Sequence, residues 1–194
     1  MHLRDFHVLT FDCYGTLIDW ESGIIAALAP LSGRLANPPA RNRVLEAFAR
    51  HESAEETASP ALRYPELLAR VHRKLAAEWG IAPDAAAEQR FGASVPDWPA
   101  FPDSASALAE LKQHYQLVIL SNVDRQSFAG SNRRLGVAFD AIFTAEDIGS
   151  YKPDPANFRY LLAHLAERGI QKEEILHTAQ SLFHDHAPAR RAGL

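Results

Sequence analysis

The segment Phe11-Asp12-Cys13-Tyr14-Gly15-Thr16-Leu17 constrains this chain more than any other, because an apolar run stops at a carboxylate just ahead of a glycine turn. Val8 to Phe11 is short, largely apolar and partly β-branched or aromatic, too brief for a helix before Gly15. It reads as a buried parallel strand with Asp12 at its carboxyl end. Ligands of open α/β sheets bind at that edge, and a carboxylate held there among backbone N–H groups can act as a nucleophile. Asp and Gly are also ordinary turn residues, so the segment alone fits a capped turn equally well.

Three further apolar runs end in polar groups. Leu117 to Leu120 leads into Ser121-Asn122, and Ala141 to Phe143 precedes Tyr151-Lys152-Pro153-Asp154-Pro155. Ile175 to Ala179 runs into Gln180-Ser181 and then Asp185. Helical signals alternate with these runs. Asp103 or Ser104 can cap a helix through Tyr115 with Ala105, Leu108 and Leu111 inward, and Asp154-Pro155 can start another that carries Phe158, Leu161, Leu162 and Leu165 to Gly169. Strands alternating with helices predict an α/β fold, a parallel sheet with right-handed crossovers. From Trp20 to about Ala93 the chain is helical in character, broken at Pro38-Pro39 and Pro60, with Leu68, Val71, Leu75 and Trp79 on one face. This predicts an inserted helical cap, residues 20–96, on a core of residues 1–19 and 97–194. Asp19-Trp20 and the proline-rich return from Pro96 to Pro102 are the expected hinges.

Composition excludes more than it selects. A chain of 194 residues with 47% hydrophobic content can bury one core plus a small lid. A formal charge of -4 with only short basic pairs, Arg133-Arg134 and Arg190-Arg191, argues against nucleic acid. The single cysteine, Cys13, leaves no internal disulfide, and no run of about 18 apolar residues marks a membrane span. The expected setting is soluble and cytoplasmic, without a membrane partner. Cys13 reads as small buried filler, and the group His177, His184, Asp185 and His186 reads as hydrogen-bonded or exposed rather than as metal ligands.

The order nucleophilic Asp, then Ser, then Lys, then an acidic residue, one group per strand end, resembles the haloacid dehalogenase superfamily of hydrolases. Asp-x-Tyr-Gly-Thr-Leu followed by Leu-Ser-Asn is most similar to its L-2-haloacid dehalogenase branch. The resemblance implies a Rossmann-like core. It implies that Asp12 displaces halide from a short L-2-haloacid, a small carboxylate substrate, and forms an ester that water then cleaves. Lys152 would pair with Asp12, Thr16 would donate to it, and Asp185 would orient the water or Lys152. Ser121, Asn122 and Tyr14 would meet the substrate, with Arg50 as the cap's cation for halide or carboxylate. Pairing into a homodimer through the cap is also implied, as are a further strand and helix that this chain does not show after Leu194.

Several positions depart from the superfamily's patterns. Its phosphatases carry an acid where Tyr14 stands, to protonate a leaving alkoxide, help that a halide, as a weak base, does not need, and a further acid at Gln180. With both neutral, no cofactor is expected; Mg2+ belongs only to a phosphatase alternative. Leu182 stands where dehalogenases have Asn, and Phe158 where they have Tyr. These departures leave three alternatives in place: a related carbon-centre hydrolase that opens L-azetidine-2-carboxylate, a phosphatase, and a weakly active binding protein.

Overall fold

A computed structural model describes residues 2–194. Its four strands, β1 (Val8–Phe11), β2 (Gln116–Ser121), β3 (Ala141–Thr144) and β4 (Ile175–Thr178), are the four apolar runs of the sequence. All pair in parallel, in the order β3-β2-β1-β4. Alternation along the strands feeds two separate apolar clusters. Leu9, Phe11, Leu117 and Ile119 enter one; Val8, Val118 and Leu120 enter the other. Burial on both faces is why these strands read as apolar runs rather than as alternating patterns. The strand order reverses at β1, so the crevice for a ligand lies beyond its carboxyl end, and Asp12 is the next residue.

Four helices follow β1: α1 (Trp20–Ser32), α2 (Arg41–Ala58), α3 (Tyr64–Glu78) and α4 (Ala85–Gly92). Asp19 and Asp84 cap α1 and α4 through the backbone N–H groups of Ser22 and of Ala86 and Ala87. The stripe Leu68, Val71 and Leu75 is buried in α3, and Trp79 sits half-buried just past its end. The chain enters and leaves this helical insertion along one narrow path. Ile18 and Ala100 form an antiparallel bridge, Asp19 N–H donates to the Pro99 carbonyl at 2.8 Å, and Phe101 N–H to the Leu17 carbonyl at 3.1 Å.

Gly23 of α1 touches Trp98 of the returning segment so closely that a Cβ there would stand 2.3 Å from the indole. Gly23→Ala is expected to destabilise the fold by about 1–3 kcal/mol through overpacking against this buried ring. Urea melts of the variant and the parent check this.

The remaining helices are α5 (Ser104–Leu111), α6 (Arg125–Leu135), α7 (Ala145–Ile148), α8 (Pro155–Ala166) and α9 (Ala187–Ala192). Helix α5 corrects the sequence reading. It stops at Leu111, since tight turns of Gln113 on Glu110 and His114 on Leu111 lead into β2. Asp103 makes no side-chain cap bond and Ala105 is exposed; instead Ser104 Oγ donates to the Leu17 carbonyl at 2.8 Å and ties α5 to the entry path. Helix α8 follows expectation, with Asp154 accepting from Ala156 N–H and Pro155 in the first turn. No helix of the described residues is long and apolar enough to cross a membrane.

Candidate active site

The turn after β1 builds the first half of the site. Asp12 N–H donates to the Thr178 carbonyl, which extends the ladder by one residue. The Cys13 carbonyl then accepts from Leu17 and Ile18, and Gly15 takes φ +95°, a conformation L side chains rarely adopt. This return brings Thr16 Oγ1 back to donate to Asp12 Oδ2 at 2.9 Å, while Thr16 Oγ1 accepts from Gln180 N–H at 3.0 Å. Cys13 itself is fully buried, and burial pushes its thiol pKa well up, as inert filler requires.

Lys152 closes the site from the other side. Its Nζ donates to Asp12 Oδ1 at 2.9 Å, to Asp185 Oδ1 at 2.6 Å and to the Leu120 carbonyl at 2.9 Å. An ammonium has three protons, and all three find acceptors. Lys152 and Asp185 are each only 1% exposed. Burial alone would lower the lysine pKa, but the charges of Asp12 and Asp185 outweigh it and hold it above its ordinary value. Burial alone would likewise raise Asp185, but Lys152 and a hydrogen bond from His177 outweigh it and hold the carboxyl low.

His177 is a site residue that sequence reasoning placed only in a dispersed histidine group. Nε2 lies 3.1 Å from Asp185 Oδ1 and Nδ1 lies 2.8 Å from Thr10 Oγ1. A charged carboxylate only accepts, so Nε2 carries a proton toward Asp185. Phe158 packs edge-on against this ring at 5.1 Å. Its phenyl therefore supports the imidazole that holds Asp185. Leu182 is 76% exposed and lies outside the cavity lining.

Asp12, Lys152 and Asp185 open onto a cavity of about 270 Å³. Tyr14 lines it, stacked edge-on against Trp98 at 5.6 Å and hydrogen-bonded to Ser131 Oγ at 2.9 Å; burial pushes its phenol well up, so it stays neutral. Asn122 also lines it, with its amide committed to the Lys152 backbone. Oδ1 accepts from Lys152 N–H at 2.7 Å and Nδ2 donates to the Lys152 carbonyl at 3.0 Å. Asn122 thus positions the lysine. Ser121 is buried beside it, outside the cavity lining, and its hydroxyl has no partner among the described residues.

The helices after β1 overturn one expectation. Arg50 is exposed, ion-paired to Glu78, and absent from the cavity lining. Helix α2 instead sends Glu52 and Glu56 to the cavity, joined by Tyr64 of α3 and by Trp20 and Trp98. Tyr64 donates to Glu52, and Asn122 Nδ2 reaches Glu56 at 3.4 Å. Burial pushes the Glu52 carboxyl up to about 7; burial and the neighbouring Glu52 charge push Glu56 up to about 9. The sequence carried a signal for these two: Val44, Phe48, Glu52 and Glu56 form one row at four-residue spacing, whose first two members are buried.

No group of three or more His, Cys, Asp or Glu placed to hold a metal ion occurs among the described residues. No match is found among curated proteins. Solved structures do match. An L-2-haloacid dehalogenase is 25% identical, with a TM-score of 0.81 over 97% of this chain and 82% of its own. The L-2-haloacid dehalogenase from Xanthobacter autotrophicus is 20% identical, with a TM-score of 0.81 over 97% of this chain and 75% of its own. YfnB from Bacillus subtilis, in a structure bound to magnesium, is 23% identical, with a TM-score of 0.77 over 97% and 86%. The model of one hydrolase family, the haloacid dehalogenase-like hydrolases, matches residues 6–193, which takes in all four strands and every group gathered around Lys152. By a match of that extent, the chain belongs to the haloacid dehalogenase-like hydrolases.

Proposed function

We propose that this hydrolase uses Asp12 as a nucleophile at a carbon centre, and that short L-2-haloacids are substrates for that chemistry. The observation that carries the reading is the placement of Asp12. It opens on the cavity while Thr16 holds one carboxylate oxygen and Lys152 the other. A nucleophile fixed at both oxygens is oriented for in-line attack without further loss of freedom. In the first step a carboxylate oxygen bonds to C2 of the substrate, the carbon–halogen bond breaks, and halide leaves with the electron pair, inverting the carbon. Water then adds to the ester carbonyl, the acyl C–O bond breaks, and the 2-hydroxy acid and a proton are released. Asp185 keeps Lys152 in place throughout, and residues 20–96 act as a cap that shields the ester from bulk water.

The leaving group favours this chemistry over phosphate ester hydrolysis. An alkoxide needs a proton, and Tyr14, a neutral phenol engaged with Ser131, stands where a donor acid would be. The donor set also fits Mg2+ poorly. Asp12 and Asp185 are the acids at the strand ends, a lysine ammonium bridges them, and a hard divalent cation there would meet that like charge. Halide release from L-2-chloropropionate is expected in the presence of a chelator at the rate seen without it. A rate that falls with chelator and recovers with Mg2+ would sink the metal-independent mechanism.

A further inference from the structure

The cavity holds more carboxyl groups than the displacement at carbon uses. Its lining holds four carboxyl groups, Asp12, Asp185, Glu52 and Glu56, against one ammonium, Lys152, whose protons are already taken. His184 also lines it, but burial, followed by the Lys152 charge, lowers its pKa and leaves it neutral. Asp185 Oδ2 is buried and has no partner among the described residues. Glu52 accepts from Tyr64 and Glu56 from Asn122, both uncharged groups, and neither makes an ion pair among the described residues, so both carboxyls hold their protons near neutral pH until a cation lowers their pKa. Aromatic rings share this lining: Trp20, Tyr64 and Trp98 border the same space as Glu52 and Glu56. Carboxylates set among aromatic rings are the surroundings in which organic cations bind, through Coulomb attraction and the negative face of the π-system.

We propose that the cap side of the cavity is an ammonium subsite formed by Glu52, Glu56 and the rings of Trp20, Tyr64 and Trp98. Resting on the hydrolytic reading above, this makes the preferred substrate a small carbon electrophile that bears an amino group. An alkylammonium would bring Glu52 and Glu56 a positive charge that no side chain among the described residues supplies at hydrogen-bond distance. That charge would also offset the Glu52 charge, which disfavours ionisation of Glu56 on the same helix face. A guanidinium from Arg50 would have selected the opposite kind of substituent, and Arg50 is tied to Glu78 outside the cavity.

Trp20 and Trp98 make the test direct, since both indoles line the cavity and report its occupancy by fluorescence. The wild-type protein is titrated with n-propylammonium and, separately, with propionate, an ion of similar size and opposite charge. The ammonium is expected to give a saturable signal with a Kd at least about tenfold below that of propionate. At about pH 9, where the wild-type carboxyls can ionise and the alkylammonium keeps its proton, Glu52→Gln and Glu56→Gln, which keep side-chain size, are each expected to weaken ammonium binding by about tenfold. Propionate binding as tightly as the ammonium would overturn the subsite, and so would ammonium binding that both variants leave unchanged. The wild-type comparison needs no variant to fold, and circular dichroism confirms the fold of the two that are used. No bond breaks in this titration, so a failure of halide release leaves it standing. Halide release without ammonium binding overturns the subsite alone.

Discussion

Asp12→Asn is expected to lower turnover of L-2-chloropropionate by at least about 10³-fold, equivalent to about 4 kcal/mol of transition-state stabilisation, while the protein stays folded. The amide is a far weaker nucleophile than the carboxylate it replaces. Its oxygen can still accept from Lys152 while its N–H donates to the Thr16 hydroxyl oxygen, so the turn after β1 keeps both contacts. A covalent ester makes a second, sharper expectation. In a single turnover in heavy-oxygen water, the label enters the Asp12 carboxylate, and the product hydroxyl carries the oxygen that Asp12 supplied. Label found in the product on the first turnover would show that water attacks the substrate directly and would remove Asp12 from the nucleophile's role.

Lys152→Met is expected to cost about 3–5 kcal/mol of stability as well as activity, because it leaves buried carboxylates facing each other without a counter-charge. The same cluster sets a pH window. Asp185 is held below its ordinary pKa, so its contribution is present above the unfolded carboxylate value and is lost as pH falls through the folded one. Lys152 is held above its ordinary pKa, so its contribution is complete below the unfolded lysine value and is lost as pH rises through the folded one. The cluster is thus intact from about pH 4 to about pH 10. Urea melts should show a wild-type advantage over Lys152→Met that is level within that window and shrinks below and above it. A variant as stable as the parent at neutral pH would refute the account.

The strands were legible because a parallel strand buried on both faces must be apolar along its length, and little else in this chain is both short and apolar. Asp12 was legible as the residue after such a run, and Lys152 and Asp185 through the resemblance of the order of polar groups after the later runs to that of the superfamily. Helix α2 was not, because its rotation about its own axis is decided by packing and the sequence supplies only weak amphipathic guidance. Arg50 lies two residues from Glu52, more than half a turn around the helix, and an error of that size exchanges a guanidinium for a carboxyl. His177 was obscured differently. Its partner Thr10 lies on the neighbouring strand β1, and only the register that pairs Thr10 with His177 brings them together.

Ile18 and Ala100 are one of several ties between the helices after β1 and the sheet. Phe48 of α2 and Leu67 and Val71 of α3 belong to the same buried apolar cluster as Leu9 and Phe11 of β1. Tyr151, which precedes Lys152, donates to the Leu62 carbonyl just ahead of α3. An interior packed to this density passes strain on instead of absorbing it. A change of side-chain volume among those helices is therefore felt at the strand end that carries Asp12, so the roof and the floor of the cavity are adjusted together.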